Sequence, residues 1–250
     1  MTQAAGVGTT KDTLFGGQVV LGQPARGGGY RVNVDAVLLA AFAAGADARG
    51  GGAAARRPRR ARAAFDLGAG VGAVGLSLLH LGVADHVTMV EVDTALAKLA
   101  ESNAVANGWA ERIVVLRADV SDLACLPAGA ADLIVCNPPY VEPGRGRAPA
   151  PARARARSGP LHVFLDAARR LAGRRARVFF VYPAIETTTL LIEMRARGLE
   201  PKRLRAVHGR AHDKARVVLV ECVAGRPGGL VLEPPLVETG GGAPAIVDRG

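Results

Sequence analysis

The sequence predicts an α/β protein with a Rossmann-like, doubly wound sheet whose strands are mostly parallel. Short apolar runs alternate with helical segments through the middle of the chain, as in successive strand–helix units. Four consecutive apolar runs end in or lead to a polar residue: Asp66, Glu91, Asp119 and Asn137. Because parallel strands end at one edge of such a sheet, where ligands bind, these side chains are predicted to line a binding site.

Composition limits the class of protein. The 250 residues are 49% hydrophobic, which is enough for one domain with a sizeable core. The longest apolar stretch, residues 36–46, is too short to cross a membrane and no signal pattern opens the chain, so a cytoplasmic protein is predicted. Three cysteines without a C-x-x-C pair argue against a disulfide framework and a zinc site, so no metal is expected. The net charge of +10 favours a polyanionic partner without identifying it.

The N-terminal part is predicted to be mainly irregular. Residues 1–12 are small and polar and are expected to be disordered before a single domain over residues 13–235. Residues 18–23 suit a short hairpin strand. Residues 33–42 predict a helix, with Asn33 as its cap and Asp35 in its first turn.

A basic loop and then a glycine-rich loop follow. Residues 49–62 contain six arginines without apolar periodicity and predict a flexible, exposed loop. Residues 63–67 form the first predicted strand, and residues 68–75 hold four glycines. Glycines there let the main chain approach a ligand closely and direct the N-terminus of the next helix at it.

The glycine-rich loop fits two cofactors. Gly70, Gly72 and Gly75 form the G-x-G-x-x-G pattern of dinucleotide-binding proteins, and Glu91 follows about 20 residues later. The loop alone is therefore compatible with NAD and with S-adenosylmethionine. Asp66 favours the second, because its carboxylate would repel a pyrophosphate and attract a sulfonium and an ammonium group.

The next two strand ends each allow a functional and a structural interpretation. Glu91 follows the predicted strand 87–90 and is placed to bind ribose hydroxyls, or it is only a carboxylate before the helix 94–107. Asp119 follows the strand 113–116 and is placed to accept from an adenine amino group, or it only opens a turn.

The fourth strand, residues 132–136, ends in Asn137-Pro138-Pro139-Tyr140. The prolines have no N–H, so the turn offers carbonyl oxygens, and Asn137 adds a side-chain carbonyl. Two converging acceptors suit an amine with two N–H bonds, and Tyr140 offers a flat face for a planar group. The alternative is a turn without chemistry. The pattern is typical of methyltransferases that act on planar exocyclic or amide nitrogens.

The rest of the chain continues the α/β pattern. Residues 142–159 alternate Pro, Gly and Arg and predict a flexible basic loop beside the reaction centre. The remaining predicted elements are helix 161–171, strand 177–182, helix 185–197, an antiparallel pair of strands at 202–207 and 216–222, and a flexible tail at 236–250.

Four segments together resemble the bacterial tRNA (adenine-N6) methyltransferases: residues 29–40, 66–72, 137–140 and 201–208. The similarity extends over residues 18–221 and implies the seven-stranded class I methyltransferase sheet, mostly parallel with an antiparallel last strand. Ser158-Gly159 is a departure, since this family tends to have His-Glu there.

The resemblance implies a cofactor and its ligands. S-adenosyl-L-methionine would be bound by Asp66, Gly68, Gly70, Gly72, Glu91, Asp119 and Asn137. Catalysis would be carried out by Asn137, Pro138 and Tyr140. RNA would be bound by Arg145, Arg147, Arg153, Arg155 and Arg157.

The sequence thus predicts transfer of a methyl group to the N6 amine of an adenine in RNA, with a tRNA near its anticodon as the expected substrate. A protein glutamine amide and a guanine N2 amine are alternative acceptors. Outside this class, a catalytically silent RNA-binding protein and an NAD-dependent oxidoreductase stay open, although no hydride-handling residue is evident for the latter.

Overall fold

The computed structural model describes residues 8–25, 34–45, 60–139 and 161–238. The strands are β1 Thr9–Leu14, β2 Val19–Pro24, β3 Ala61–Leu67, β4 Ala84–Val90, β5 Ile113–Leu116, β6 Ala131–Cys136, β7 Ala172–Pro183, β8 Leu199–His208, β9 Ala215–Ala224, β10 Val231–Leu232 and β11 Leu236–Val237. The α-helices are α1 Val34–Ala44, α2 Ala73–His80, α3 Thr94–Ala106, α4 Leu161–Leu171 and α5 Thr187–Ala196. None of the helices described is long and apolar enough to cross a membrane.

One large sheet organises the chain. Its order is β10-β8-β9-β7-β6-β3-β4-β5, and β11 also pairs with β8. Strand β9 runs antiparallel to β7 and β8, and the other pairings are parallel. Apart from the two-residue strands β10 and β11, this is the predicted seven-stranded sheet with an antiparallel last strand, and that prediction is confirmed.

The direction of strand addition reverses between β3 and β6. The chain adds β4 and β5 on one side of β3, and then returns to place β6 on the other side. In open α/β sheets the crevice at such a switch point is where ligands bind. The topology therefore puts the glycine-rich loop after β3 and the Asn-Pro-Pro turn after β6 side by side.

Both faces of the sheet are covered, which explains the continuous apolar runs of its central strands. In β7, Phe179 and Val181 pack into the core under α1 and α2, whereas Val178 and Phe180 pack into the core under α4 and α5. The alternation follows from the two-residue period of a strand. Packing on both faces holds the strands in place, and with them the edge of the sheet at which the polar residues lie.

The described segments are more ordered at their ends than predicted. Residues 9–12, predicted to be disordered, belong to β1, because their main chain pairs with β2 and the Asp12 carboxylate accepts a hydrogen bond from Gln23. Residues 61–62 of the predicted loop 49–62 begin β3, where Asp132 accepts from the Arg62 and Ala63 amides.

The predicted tail also begins too early. Leu236 is buried and pairs with the end of β8 in β11. Arg216 forms an ion pair with Glu238, with Nη2 3.0 Å from Oε1. It forms a second ion pair with the fully buried Asp35 of α1, with Nη1 2.5 Å from Oδ1. Asp35 is thus part of a buried ion pair and not only a carboxylate of the first helical turn. The remaining parts of the predicted loops and tails, Asn33 and Tyr140 lie outside the described residues.

Two asparagines cover the free edge of strand β2 in the β1–β2 hairpin. Asn103 lies within α3, and Asn107 is the C-terminal cap of that helix. Asn107 accepts from the Val20 amide at 2.9 Å and donates to the Val20 carbonyl at 2.7 Å. Asn103 accepts from the Gly22 amide at 2.6 Å and donates to the Gly22 carbonyl at 2.9 Å. It also donates to the Val71 carbonyl at 2.9 Å. A side-chain amide carries the same donor and acceptor as a peptide group, so the pair replaces a neighbouring strand. Asn103 thereby ties the hairpin to the glycine-rich loop.

We expect Asn103→Ala to lower the free energy of unfolding by about 2–3 kcal/mol, because one buried and two partly buried main-chain groups would lose their partner. Ser102→Ala is the matched control. Its exposed hydroxyl bonds only to the Lys98 carbonyl, so the change should stay within about 0.5 kcal/mol. Urea denaturation followed by circular dichroism measures both. Equal stability of the two variants would contradict the proposed role of Asn103.

Candidate active site

The carboxyl ends of four strands are level with one another. Leu67 of β3 pairs with Val90 of β4 and with Cys136 of β6, and Val90 pairs with Leu116 of β5. The predicted polar residues lie at or after these ends, so the structure brings them to one edge as expected. Their roles toward a ligand stay predictions.

The glycine-rich loop makes a tight turn into α2. Gly68 and Ala69 both donate their amides to the Val90 carbonyl at 2.9 Å, and Gly72 adopts a left-handed φ of 87° directly before the helix. A Cβ at Gly72 would lie 2.9 Å from the Met89 sulfur, and one at Gly75 only 2.5 Å from the Met89 methyl group. A side chain at either position would require Met89 to move, so the glycines allow the helix N-terminus to pack close to the sheet edge around that residue.

Asp66 is buried below this turn. Its side chain is 1% exposed, and Oδ2 accepts from the Gly75 amide at 2.9 Å. Burial raises the pKa of Asp66 to about 7; the Gly75 hydrogen bond opposes this shift and the Glu91 charge adds to it. At neutral pH the carboxyl is therefore partly protonated, and a cationic ligand would favour its ionised form.

Glu91 joins the end of β4 to the glycine-rich loop. It is 7% exposed; Oε2 accepts from the Gly70 amide at 2.7 Å, and Oε1 from the Asp93 amide at 2.8 Å. Burial raises the pKa of Glu91, and the two amide hydrogen bonds oppose the shift. The cap of α3 is Asp93, which accepts from the Ala95 and Leu96 amides. The sequence interpretation missed this cap, and Glu91, which accepts from the Asp93 amide, remains a carboxylate close to the N-terminus of α3.

Asp119 is exposed and opens a turn. Oδ1 accepts from the Ser121 hydroxyl at 2.7 Å and from its amide at 2.8 Å, and these bonds lower the pKa of Asp119. This is the geometry of the structural alternative. A contact with an adenine amino group would have to share the carboxylate with Ser121, and it stays a prediction.

The Asn-Pro-Pro turn lies beside the end of β3. Asn137 is partly exposed and Pro138 is buried. The thiol of the preceding Cys136 donates to the Leu67 carbonyl at 3.5 Å, next to Asp66 in the chain. The turn and the Asp66 carboxylate therefore occupy neighbouring positions at the switch point, whereas Tyr140 lies outside the described residues.

Two aromatic residues near the site escaped the sequence interpretation. Cys136 pairs with Phe180, so Tyr182, two residues further along β7, is level with Pro138. Burial raises the pKa of the half-buried Tyr182, and the Glu186 carboxylate adds to the shift. Phe164 of α4 reaches the loop, since a Cβ at Gly68 would lie 3.1 Å from its ring. Helical periodicity predicts burial of Phe164, but no local signal predicts its contact with Gly68.

Comparison with known proteins agrees with this arrangement. Residues 54–150 match the family model described as methyltransferase small domain. The fold is similar to that of a predicted O-methyltransferase from Agrobacterium tumefaciens, with a TM-score of 0.62 and 22% identity over 85% of this chain and 91% of that one. It is also similar to P. horikoshii TYW2 in complex with MeSAdo, with a TM-score of 0.59 and 18% identity over 89% and 74% of the two chains. Fold and site thus define a class I methyltransferase.

Relatives in sequence specify the family. The tRNA1(Val) (adenine(37)-N6)-methyltransferase of Aeromonas hydrophila is 31% identical over 163 residues, which cover 64% of this chain and 68% of that protein. The enzyme of the same name from Shewanella amazonensis is 37% identical over 120 residues, 47% of this chain and 45% of its own length. The chain belongs to the tRNA1(Val) (adenine(37)-N6)-methyltransferase family. Its match to the second relative spans less than half of that protein.

The raised pKa of Asp66 should make stability depend on pH. The folded protein holds this proton up to about pH 7, whereas the unfolded chain releases it near 3.8. The folded state thus binds more protons in this window, so the free energy of unfolding should fall as pH rises from about 4 to 7. Asp66→Asn keeps an acceptor for the Gly75 amide and cannot ionise. It should therefore be more stable than the natural protein at pH 8 by about 2–4 kcal/mol.

Denaturation at pH 5 and at pH 8 gives the free energy of unfolding of each protein. The effect is the difference in this free energy between the variant and the natural protein at each pH. Asp119→Asn is the control, because Asp119 is exposed and has a lowered pKa, so its contribution is constant in this window. A difference for Asp66→Asn that is the same at both pH values would show that Asp66 is ionised throughout.

Proposed function

We propose that the protein transfers a methyl group from S-adenosyl-L-methionine to the N6 amine of an adenine in tRNA, at a position next to the anticodon. The observation that carries the proposal is the position of the Asn137-Pro138-Pro139 turn beside buried Asp66 at the switch point. The names of the family's members, which specify adenine 37 of a valine tRNA, support the choice of substrate.

The residues at the edge fit the cofactor. A buried carboxylate with a pKa of about 7 suits a ligand that carries a sulfonium and an ammonium, and Asp66 is that carboxylate. The main chain at Gly68, Gly70 and Gly72 would lie against the ligand without side chains. Glu91 would bind the ribose hydroxyls, since each carboxylate oxygen can accept a bond beside the amide it already holds. Asp119 would bind the adenine amino group.

The Asn-Pro-Pro turn would hold the acceptor. The side-chain carbonyl of Asn137 and the main-chain carbonyl of Pro138 would accept the two N–H bonds of the adenine amine. Neither proline has an N–H that could compete. With both protons bound, the nitrogen lone pair leaves the ring's conjugation and faces the donor, whose contribution is an electrophilic methyl group. Positioning of this kind supplies much of the rate acceleration in a displacement, and no strong base is needed.

The base must leave its stack to reach the turn. Bases in single-stranded RNA loops are easily turned out and stacked on aromatic side chains. We assign this role to Tyr140, with Tyr182 as the aromatic side chain at the neighbouring strand end. Bound RNA would be held by the arginines of residues 142–159, a segment outside the described residues that also contains Ser158-Gly159. A cytoplasmic location stays a prediction.

Removal of the Asn137 side chain should abolish most methyl transfer. We expect Asn137→Ala to reduce turnover at least about 100-fold, as when an interaction with the transition state is removed, and to leave cofactor affinity within a few-fold. Asn137→Asp keeps an acceptor and should retain more activity. The assay is the formation of N6-methyladenosine in a transcribed valine tRNA, measured by nucleoside mass spectrometry, with calorimetry for S-adenosylmethionine. Near-normal turnover of Asn137→Ala would refute the proposed chemistry.

The five arginines near the turn should govern part of the salt dependence of RNA binding. Replacing Arg145, Arg147, Arg153, Arg155 and Arg157 by serine removes phosphate-binding groups and the counterion release that accompanies binding. The plot of log affinity against log salt should flatten by roughly 0.7–0.9 for each phosphate that is no longer neutralised. Affinity for S-adenosylmethionine should not change. An unaltered slope would mean that these arginines are only solvated.

A further inference from the structure

We propose that a pocket at the opposite edge of the sheet binds a backbone phosphate of the same RNA through Arg169, Arg174 and Arg226. This second site rests on the proposed function, because it supposes an RNA substrate. It would lie away from the reaction centre and contribute affinity without taking part in methyl transfer.

The pocket lies where β7 begins, β9 ends and α4 ends, which is the amino edge of the parallel strands. Its volume is about 380 Å³. We call it the amino-edge pocket; its lining residues are Arg169, Ala172, Gly173, Arg174, Ala224, Gly225 and Arg226. Ala172 of the lining pairs with Ala131, and Asn137 follows Ala131 by six positions, so roughly 20 Å of strand lies between the pocket and the acceptor turn.

Among the described residues, no carboxylate pairs with the positive charges that line the pocket. Three of its lining residues are arginines and none is acidic. Other arginines in the described segments, such as Arg117, Arg195 and Arg203, form ion pairs with carboxylates. The guanidinium groups of the three pocket arginines, in contrast, form no hydrogen bond or ion pair with any described residue. Three positive charges around one space repel one another, and a bound anion would relieve this repulsion.

An acidic residue of the neighbouring strand β8, Glu200, is already engaged. Glu200 accepts from the Gly228 amide at 3.0 Å and pairs with Arg195 at 3.2 Å. Lys202 adds a further positive charge nearby, since its ammonium group donates to the Arg226 and Gly228 carbonyls. The surroundings therefore strengthen the positive potential of the pocket instead of cancelling it.

Two glycines keep the floor of the pocket free of side chains. A Cβ at Gly173 would lie 3.1 Å from the carbonyl oxygens of Gly129 and Ala131, so a larger residue would require that main chain to shift. Gly225 has a left-handed φ of 65° at the end of β9, and its amide donates to the Gly198 carbonyl at 3.0 Å. The turn is thus held in place while the space above it stays open.

The composition of the lining favours a backbone phosphate over a nucleotide or another small molecule. A guanidinium group can donate two parallel, short, charge-assisted hydrogen bonds to the oxygens of a phosphate. Apart from arginine, the pocket contains only alanine and glycine, and no aromatic or branched side chain that could hold a base or a ring. The polyanion proposed as substrate supplies such phosphates without a need for base recognition.

Helix α4 connects the two sites. It begins directly after the basic segment 142–159 and carries Arg169 near its end, about 16 Å further on for 11 residues. Residues 161–175 contain four arginines and a single acidic residue, Asp166, which pairs with Arg197 at 2.8 Å. An RNA that runs from the acceptor turn along α4 would therefore meet clustered positive charge at the end of the helix, where the amino-edge pocket lies.

The test uses the full chain and an RNA duplex of about 20 base pairs with arbitrary sequence, because phosphate binding does not depend on sequence. The triple variant Arg169→Ser, Arg174→Ser, Arg226→Ser should bind it more weakly. The plot of log affinity against log salt should flatten by roughly 0.9, because one phosphate of the duplex is no longer neutralised. The control variant Arg62→Ser, Arg210→Ser, Lys214→Ser removes the same charge from exposed basic residues outside the pocket, and its slope should change by less than half as much. Thermal unfolding checks that both variants are folded.

The proposal would be overturned if the salt slope of RNA binding were unchanged in the pocket variant, or if it changed equally in the control variant. Binding of inorganic pyrophosphate is measured on the same variants. The proposal would also fail if the pocket variant lost pyrophosphate binding but bound RNA as the natural protein does. The last result would assign the pocket to a small phosphate compound. Because the duplex assay involves no methyl transfer, it can succeed even if the proposed reaction is wrong. With an RNA that the protein methylates, the pocket variant should raise KM and leave kcat unchanged.

Discussion

The parallel pairing of β3 with β6 is the constraint on which the active site depends. It puts Asp66 opposite Val135 and Leu67 opposite Cys136, although about 70 residues separate the partners along the chain. Neither strand carries a complete site, since the glycine-rich loop belongs to one and the Asn-Pro-Pro turn to the other. Under the proposed function, the hydrogen-bond register of these two strands would set the distance between methyl donor and acceptor. A shift by one residue would also turn the buried side chains of β6 to the wrong face, so packing on both faces fixes the register.

The proposed donor half of the site places two carboxylates where water is scarce. Asp66 and Glu91 are both buried, both have raised pKa values, and the charge of Glu91 contributes to the shift of Asp66. Each is held by an amide of the glycine-rich loop, Gly75 for Asp66 and Gly70 for Glu91. The loop therefore has two functions, since its main chain leaves room for a ligand and its amides keep the carboxylates oriented. Such an arrangement is pre-organised for a positively charged group.

The sequence predicts the elements of the main sheet well, because each central strand is an isolated apolar run. The predicted and observed limits of β5, 113–116, are identical, and the four polar strand ends follow from the parallel topology. Contacts between distant segments could not be predicted. Asn103 is an ordinary polar residue in the helical pattern, and its partner Gly22 is 81 residues away. Tyr182 lies beside Pro138 because the pairing of β6 with β7 shifts register between Ala131 and Leu133. Nothing in the local sequence indicates this shift. Residues 9–12 are polar because one side of the hairpin faces solvent.

The asparagine pair at α3 also has a consequence for synthesis on the ribosome. The β1–β2 hairpin is made early, but the side chains that cover the outer edge of β2 are added more than 80 residues later. During this interval Val20 and Gly22 present unpaired amide and carbonyl groups, as any exposed edge strand does, and such edges can pair with other chains. The nascent chain is thus vulnerable until α3 emerges. The short length of β2, six residues, and the glycine within it limit that risk.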